Sequence, residues 1–473
     1  MSECLHTWGW GMLAAATALA ATIDASAGEV ALKVGVASID ITPEPGLRMW
    51  GYSSRTTPAT GTAEPLSARA LVLESRAMRV AVVTLDLGRT PEEALLDRLR
   101  ASTVERCGID RLLVTASHTH QAPSLESYDG QENAYAAAVT DQLAGLVAQA
   151  ADELVPVTLS VATTTVDVSH NRRRYLADGR VAMQWRNEER TPTRAVDPKV
   201  TVIRFDREDG APLAVMFHYT CHPVVLGPDN LEYSPDFVGA ARETIDAALN
   251  TTSLYLQGAA GDINPYLDKT PVASGGLEAC RAVGVEVGSA VVAAAEKAQT
   301  IAPADTVLRF EQRVVPVALR WDIQQPEVRE VLSHAYGARF DRYLARQLSE
   351  GTVPAVLSTM VLGDAVALVG MPGEIFVDFQ FMLREQAPYE HALLVGYSNG
   401  YHAYFPTIRD AALGGYGGKT ATYVAVGSGE RLTNEALISL YRLAGALGDA
   451  PLLQDFRLIE WDKLSDEQRR AAQ

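Results

Sequence analysis

The sequence predicts a layered α/β fold built on a mixed sheet, and three observations carry that prediction. Short apolar runs alternate with helix-length stretches almost throughout the chain. Hydrophobic residues make up 47% and charged residues 21% of 473 positions, the balance of an ordinary globular chain with ample core. No repeat, low-complexity block or Pro/Ser linker interrupts the pattern between residues 30 and 447. One large domain over 28–450 is therefore expected, followed by a polar tail over 451–473.

Strands are predicted where apolar or β-branched residues run together between turn signals. These runs are 33–41, 68–74, 79–86, 111–117, 157–166, 199–205, 213–218 and 253–258, then 306–318, 355–361, 365–370 and 392–396. Helices are predicted between them at 91–104, 132–152, 237–249, 281–299, 327–348 and 430–447. "LADGR" (176–180) has the composition of a hairpin turn. "GGYGG" (414–418) reads as a mobile glycine loop able to cover a pocket, or as an exposed turn.

The formal charge is −17. An acidic chain argues against a nucleic-acid partner, which needs a basic stripe, and gains nothing at an anionic membrane. Residues 9–23 are apolar, but too short and Ala-rich for a membrane span. Ala25-Ser26-Ala27 fits a cleavage site ahead of Gly28, so residues 1–27 are expected to be a signal peptide and the protein exported, to the periplasm or beyond. No Lys or Arg precedes the apolar run. After such cleavage Cys107, Cys221 and Cys280 remain, an odd number that permits at most one disulfide. All three read more simply as buried small apolar residues.

Polar residues gather where the apolar runs stop. Asp86 follows "AVVTL", and His118 and His120 follow "LLVTA". His218 and His222 lie in "VMFHYTCHPVV"; Asp262 follows "LYLQGAAG", Glu374 follows "VALVGMPG", and Tyr401 follows "LLVGYSNG". Ligands in α/β sheets bind outside one set of strand ends, so one shared site is expected. A catalytic zinc takes about three His or carboxylate ligands and keeps one position open. His118, one of His218 and His222, and Glu374 supply such a set. A lone strand histidine is more often a satisfied core residue, but His-x-His joined to "TCHP" and "PGE" turns the balance toward metal. "GAAGDINPY" (258–266) is either a close backbone approach to a ligand or a plain turn after a strand.

Taken in order, these segments resemble the catalytic domain of the neutral/alkaline (non-lysosomal) ceramidase family. "VGVASIDITPEPGLRMWGY" and "LSARALVLES" are similar to that family's opening. "SHTHQAP" resembles its T-H-T-H-S-G-P block, and "HNRRR" stands at its N-R-S-P segment. "CHPVVLG" and "YSPDFVG" are similar to its H-P-T and S-D-x-x-G, and "GAAGDINP" to its G-D-x-S-P. "MPGEIFVDF" and "YSNGYHAYFPT" resemble its P-G-E and N-x-Y-x-x-Y-x-T-T segments. The resemblance spans about 33–447 and implies the layered ceramidase-like catalytic fold. It implies one zinc per chain, held by His118, His222 (over His218), Glu374 and Tyr401. It places His120 and Arg172 around a substrate carbonyl, with Tyr404 near the pocket.

The chain also departs from that pattern. Asn264 stands at the family's serine nucleophile, and an amide forms no acyl-enzyme. Attack by metal-activated water is the expectation, with Asn264 donating to the oxyanion and Asp262 as the nearest candidate base. Asp86 is a candidate to orient a ligand histidine through its second ring nitrogen. Arg173 and Arg174 either favour an anionic substrate or face solvent. No sequence remains for the family's C-terminal immunoglobulin-like domain. The expected protein is an exported zinc hydrolase of an amide or ester-type carbonyl, with ceramide the leading substrate and no stable membrane span. The alternatives are a zinc hydrolase of a sugar or lactone, and a zinc-holding protein without turnover.

Overall fold

In this computed structural model, two sheets lie face to face and helices cover their outer faces. The structure describes residues 32–76, 78–126, 133–302, 307–336, 351–448, 450 and 458–471. The expected signal peptide lies outside the described residues, as do much of the expected helix 327–348 and part of the expected tail.

The larger sheet runs in the order Thr252–Gln257, Pro212–Tyr219, Lys199–Arg207, Val155–Thr165, Lys33–Asp40, Ser67–Ser75, Met78–Leu85 and Leu112–Ala116, with Gln299–Thr300 also paired to Val155–Thr165. The smaller sheet runs Leu308–Ala318, Thr352–Leu362, Val366–Gly370 and His391–Val395. Most neighbours are antiparallel. Three pairs are parallel: Met78–Leu85 with Leu112–Ala116, Pro212–Tyr219 with Thr252–Gln257, and Val366–Gly370 with His391–Val395.

Side-chain alternation explains the layering, because a strand points successive residues to opposite faces. Leu71, Leu73, Leu113, Met216 and Leu254 of the larger sheet pack with Met360, Leu368 and Leu393 of the smaller one. On the other face of the larger sheet, Val72, Val83 and Val114 meet Leu99 and Leu143 of helices Glu93–Cys107 and Ala134–Asp152. Val202, Phe217 and Tyr255 meet Ile245 and Val287 of helices Phe237–Leu249 and Gly276–Ala295. Helices Asp378–Gln386 and Ser428–Leu443 cover the outer face of the smaller sheet through Phe379, Leu383, Leu432 and Leu440.

Every strand predicted over the described residues is present within three residues of its expected ends. Helix Gly276–Ala295 starts five residues before the expected 281, and Asp378–Gln386 and Ile408–Leu413 were not expected. The hairpin at "LADGR" forms between Arg173–Tyr175 and Val181–Met183. Cys107, Cys221 and Cys280 are all free thiols. No helix among the described residues is long and apolar enough to cross a membrane.

The topology brings three sets of strand ends to one place. The larger sheet's parallel pairs occupy its opposite edges, and those edges approach each other. Gln257, at the end of one edge strand, donates its amide to Ser117 O (3.0 Å) and Cys221 O (2.8 Å). The chain segments leading to His118 and His222 are thereby tied together. The smaller sheet joins through Ala116 N–H to Tyr397 O (3.3 Å) and Gly396 N–H to Gln257 O (2.9 Å).

Candidate metal centre and its surroundings

His118 leaves its strand in a left-handed turn (φ +68°), and three more residues of the centre share that conformation: Tyr397 (+54°), Asn399 (+50°) and Ala403 (+57°). Each costs about 1–2 kcal/mol in an L-residue, so surrounding bonds must hold them. Asn399 illustrates how. Its amide oxygen accepts from Val114 N (3.0 Å), and its NH2 donates to Leu112 O (3.0 Å) and Ser358 Oγ (2.8 Å). This asparagine stands in for a missing neighbour along the edge strand Leu112–Ala116.

The two strand-end histidines are fixed in the same manner. His118 Nδ1 meets Gly88 O and His222 Nδ1 meets Ala260 O, both at 2.5 Å. A carbonyl can only accept, so both rings carry hydrogen on Nδ1 and turn Nε2 inward. His222 Nε2 lies 3.1 Å and His118 Nε2 3.5 Å from the same oxygen, Glu374 Oε2. Tyr401 OH donates to the other oxygen, Oε1, at 2.5 Å. His118, His222 and Glu374 are all buried.

His120 lies beside this group. Its Nε2 is 3.4 Å from His118 Nε2, and its Nδ1 is buried without a hydrogen-bond partner. Donor nitrogens of His118, His120 and His222 lie within 4.8 Å of one another, so three nitrogens as well as a carboxylate converge. Burial, reinforced by His118 and His222, pushes the His120 imidazolium well below its usual range, and burial pushes His222 down to about 4. Burial alone would raise Glu374, but His118 and His222 hold it well below the usual carboxylate range.

Two glycines make the approach possible. A Cβ on Gly51 (φ +98°) would stand 2.3 Å from the His120 ring, and one on Gly261 would stand 2.5 Å from Glu374 O. Small residues in "GAAGD" therefore admit the backbone of Glu374.

Arg172 sits on the other side of the centre, buried among neutral acceptors. Its Nη1 donates to Asn264 Oδ1 (2.8 Å), and its Nη2 to Gly261 O (2.6 Å) and Tyr404 OH (3.1 Å). Its guanidinium lies 5.2–5.6 Å from the ring centres of Trp185, Tyr404 and Tyr416. Burial works against its charge, yet Tyr404 and Glu374 outweigh burial and raise its pKa. Asn264 donates its NH2 to Asp268 Oδ2 (2.8 Å), and so links Arg172 to a buried carboxylate.

The structure thus brings together His118, His120, His222, Glu374 and Tyr401, with Arg172, Asn264 and Tyr404 adjoining through Gly261. Other expectations are corrected. Asp86 does not orient a ligand histidine: its Oδ2 binds Ser67 and Arg242, and backbone carbonyls take that role. His218, set aside in favour of His222 by the resemblance, turns away, with Nε2 on Leu394 O at 2.8 Å. Asp262 is buried, one oxygen on Val377 N–H (2.9 Å) and the other on Asn171 (2.6 Å), so both oxygens already fix loops. Arg173 neither faces solvent nor awaits an anion. It is buried against Asp410 (3.0 Å) and caps Gly414 O and Tyr416 O, pinning the glycine loop expected to be mobile. Arg174 donates to Pro192 O (2.5 Å).

Some residues of the centre were not anticipated. Tyr397 stacks on His118 with centroids 4.2 Å apart, and Tyr52 meets His120 edge-on at 4.8 Å. Arg55 donates to His120 O and Trp50 O. Gln257 had a visible signal, a polar amide ending an apolar strand run; Tyr52 and Arg55 had none.

The sequence profile described as neutral/alkaline non-lysosomal ceramidase, N-terminal, matches residues 32–294, more than half of the chain. The chain belongs to the neutral/alkaline non-lysosomal ceramidase family. A crystal structure of neutral ceramidase from Pseudomonas aeruginosa shares the fold at a TM-score of 0.70 and 19% identity, over 91% of this chain and 78% of that one. A ceramidase complexed with C2 also aligns at 0.70 and 19%, over 89% and 76%. No curated protein matches the chain. The layered mixed-sheet fold is thus shared with the neutral ceramidases.

Proposed function

We propose that this member of the ceramidase family is an exported zinc-dependent hydrolase of an amide or ester-type acyl bond, with ceramide the leading substrate. One observation carries the reading. Donors about 2.0–2.1 Å from a tetrahedral zinc lie about 3.3 Å apart, and Glu374 Oε2 stands 3.1 and 3.5 Å from the two histidine Nε2 atoms. Both histidines also have the Nδ1–carbonyl bonds that orient metal ligands. His118, His222, Glu374 and Tyr401 would hold the ion. When bound, zinc polarises a carbonyl and eases deprotonation of water.

The chain's own residues supply the rest. His120, neutral and beside the ligand pair, offers a ring nitrogen to the substrate carbonyl. Arg172 keeps its full charge in a dry setting, where a donor aimed at developing negative charge is strongest. Asn264 and Tyr404 hold that guanidinium in place. Asp262 acts as a positioning residue through Val377 and Asn171.

The direct test is fatty-acid release from a short-chain ceramide by zinc-loaded protein lacking residues 1–27. Chelator-sensitive release is expected. A folded, zinc-loaded protein that releases none removes ceramide as substrate. Export is tested by sequencing the N-terminus of the mature protein; Gly28 is the expected first residue, and an intact Met1 would defeat the reading.

Asn264→Ser tests water attack. A serine cannot span from Arg172 to Asp268, so both lose a buried partner, at about 1–3 kcal/mol each. Lower thermal stability and no acylated protein by intact mass are expected. Covalent acylation, or a rise in ceramide hydrolysis, would show that the site still supports a serine nucleophile.

A further inference from the structure

His120 is the one histidine of the centre whose ring has no carbonyl to orient it. His118 and His222 each bond a main-chain oxygen through Nδ1, whereas Nδ1 of His120 is buried without a partner. The hold on His120 comes instead from its main chain and from the ring beside it. Arg55 is buried, and its guanidinium meets four neutral acceptors and no carboxylate among the described residues. Nη2 donates to His120 O and Trp50 O, and Nη1 to Gln121 Oε1 (2.8 Å) and Asn230 O (3.2 Å). The same guanidinium lies 5.2 Å from the centre of the Tyr52 ring, which meets His120 edge-on. Arg55 therefore reaches His120 twice, through its carbonyl and through its aromatic neighbour.

Burial pulls the Arg55 pKa down to about 10, so the charge persists at neutral pH at a cost in desolvation. What a guanidinium offers in return is a planar fork that holds carbonyls from different segments at once. Gln121 completes the clamp. It is fully buried; its Nε2 donates to Leu226 O (2.9 Å), and its Oε1 accepts from Asn230 Nδ2 (3.1 Å) as well as from Arg55. Three segments thus meet on one cation: 50–55, 118–123 and the stretch 226–232 beyond His222. Gln121 stands where the family block T-H-T-H-S-G-P has serine, a side chain too short to hold Arg55 and Leu226 together. We propose that Arg55, set in place by Gln121, is a positioning residue for His120: it fixes the ring that faces the acyl oxygen without itself touching substrate. The kinetic arm of the test rests on the acyl-hydrolase reading; the second arm is independent of turnover.

Zinc-loaded protein is compared with its Arg55→Met, Arg55→Lys and Gln121→Ser variants, using the short-chain ceramide. In Arg55→Met, kcat is expected to fall about ten- to hundred-fold, the effect of a slightly misplaced group, with KM within about two-fold and zinc content unchanged. Arg55→Lys, a cation without the fork, and Gln121→Ser, a fork without its glutamine, should fall between the parent and Arg55→Met. The second arm is modification by diethyl pyrocarbonate, mapped by peptide mass spectrometry. His120 is half-buried, so a loosened ring should react several-fold faster while His118 and His222 stay protected. Unchanged kcat and unchanged His120 reactivity in folded Arg55→Met overturn the proposal. Zinc loss in step with kcat also overturns it, by placing the effect on the metal ligands. A raised KM at constant kcat does the same, by making Arg55 a binding residue. If Arg55→Met fails to fold, Gln121→Ser carries the same readouts. In a parent without turnover, faster modification of His120 in the variants would still support the clamp, and the missing turnover would count against the acyl-hydrolase reading alone.

Discussion

Replacing Glu374 with alanine is expected to strip zinc from the protein and reduce turnover to background. The carboxylate sits between His118 and His222 and accepts from Tyr401, so it is the one side chain that every other proposed ligand touches. Without it the two histidines and Tyr401 remain, and the one carboxylate of the proposed set is lost. His120→Ala is the decisive comparison, because three histidine nitrogens also converge here. If Glu374 is the ligand and His120 a substrate-facing donor, the His120 variant keeps one zinc per chain and loses only activity. Elemental analysis after dialysis separates the cases. Zinc retained in Glu374→Ala and lost in His120→Ala would mean that the metal sits on the three histidines, and the proposed ligand set would be wrong. A protein without turnover that still loses zinc in Glu374→Ala would fit the non-enzymatic alternative.

What could be read in the sequence follows from what side chains reveal. The strand runs were legible because alternating and continuous apolar patterns record burial directly. A shared site was legible because polar residues end or follow the apolar runs, and strand ends cluster in such folds; the choice of His222 over His218, and Tyr401 as a ligand, came only from the family resemblance. The partners of the histidine Nδ1 atoms were not legible. They are main-chain oxygens of Gly88 and Ala260, and a carbonyl has no residue identity to read. Asp86 is the carboxylate that the sequence offers for that role, and it instead anchors Ser67 and Arg242. Asn399, the asparagine of the N-x-Y segment, carries no expected role, yet it braces the strand that leads to His118. Arg173 looked like one of a solvated cluster because its partner, Asp410, is 237 positions away.

That distant pair yields the largest expected stability effect. Arg173 and Asp410 are both fully buried, 3.0 Å apart. Breaking a buried pair from one side costs about 3–5 kcal/mol, because the remaining charge stays desolvated. The two sides are unequal here. Arg173→Met leaves Asp410 with Tyr175 OH at 2.6 Å and Arg194 at 3.3 Å. Asp410→Ala leaves the Arg173 guanidinium with backbone carbonyls of the glycine loop and the Phe376 ring, and no carboxylate. Asp410→Ala is therefore expected to fall at the top of that range and Arg173→Met below it, in denaturant unfolding with matched zinc. The double variant, which removes both charges, should be less destabilised than Asp410→Ala alone. Equal effects of the two single changes would mean that Arg194 contributes nothing. The loss should also reach the reaction centre, since Arg173 caps Tyr416 O and the Tyr416 ring lies 5.3 Å from both Trp185 and Tyr404. Loosening that loop removes one wall from around Arg172, so activity is expected to fall before global unfolding in Asp410→Ala, at temperatures where the fold is still intact by circular dichroism.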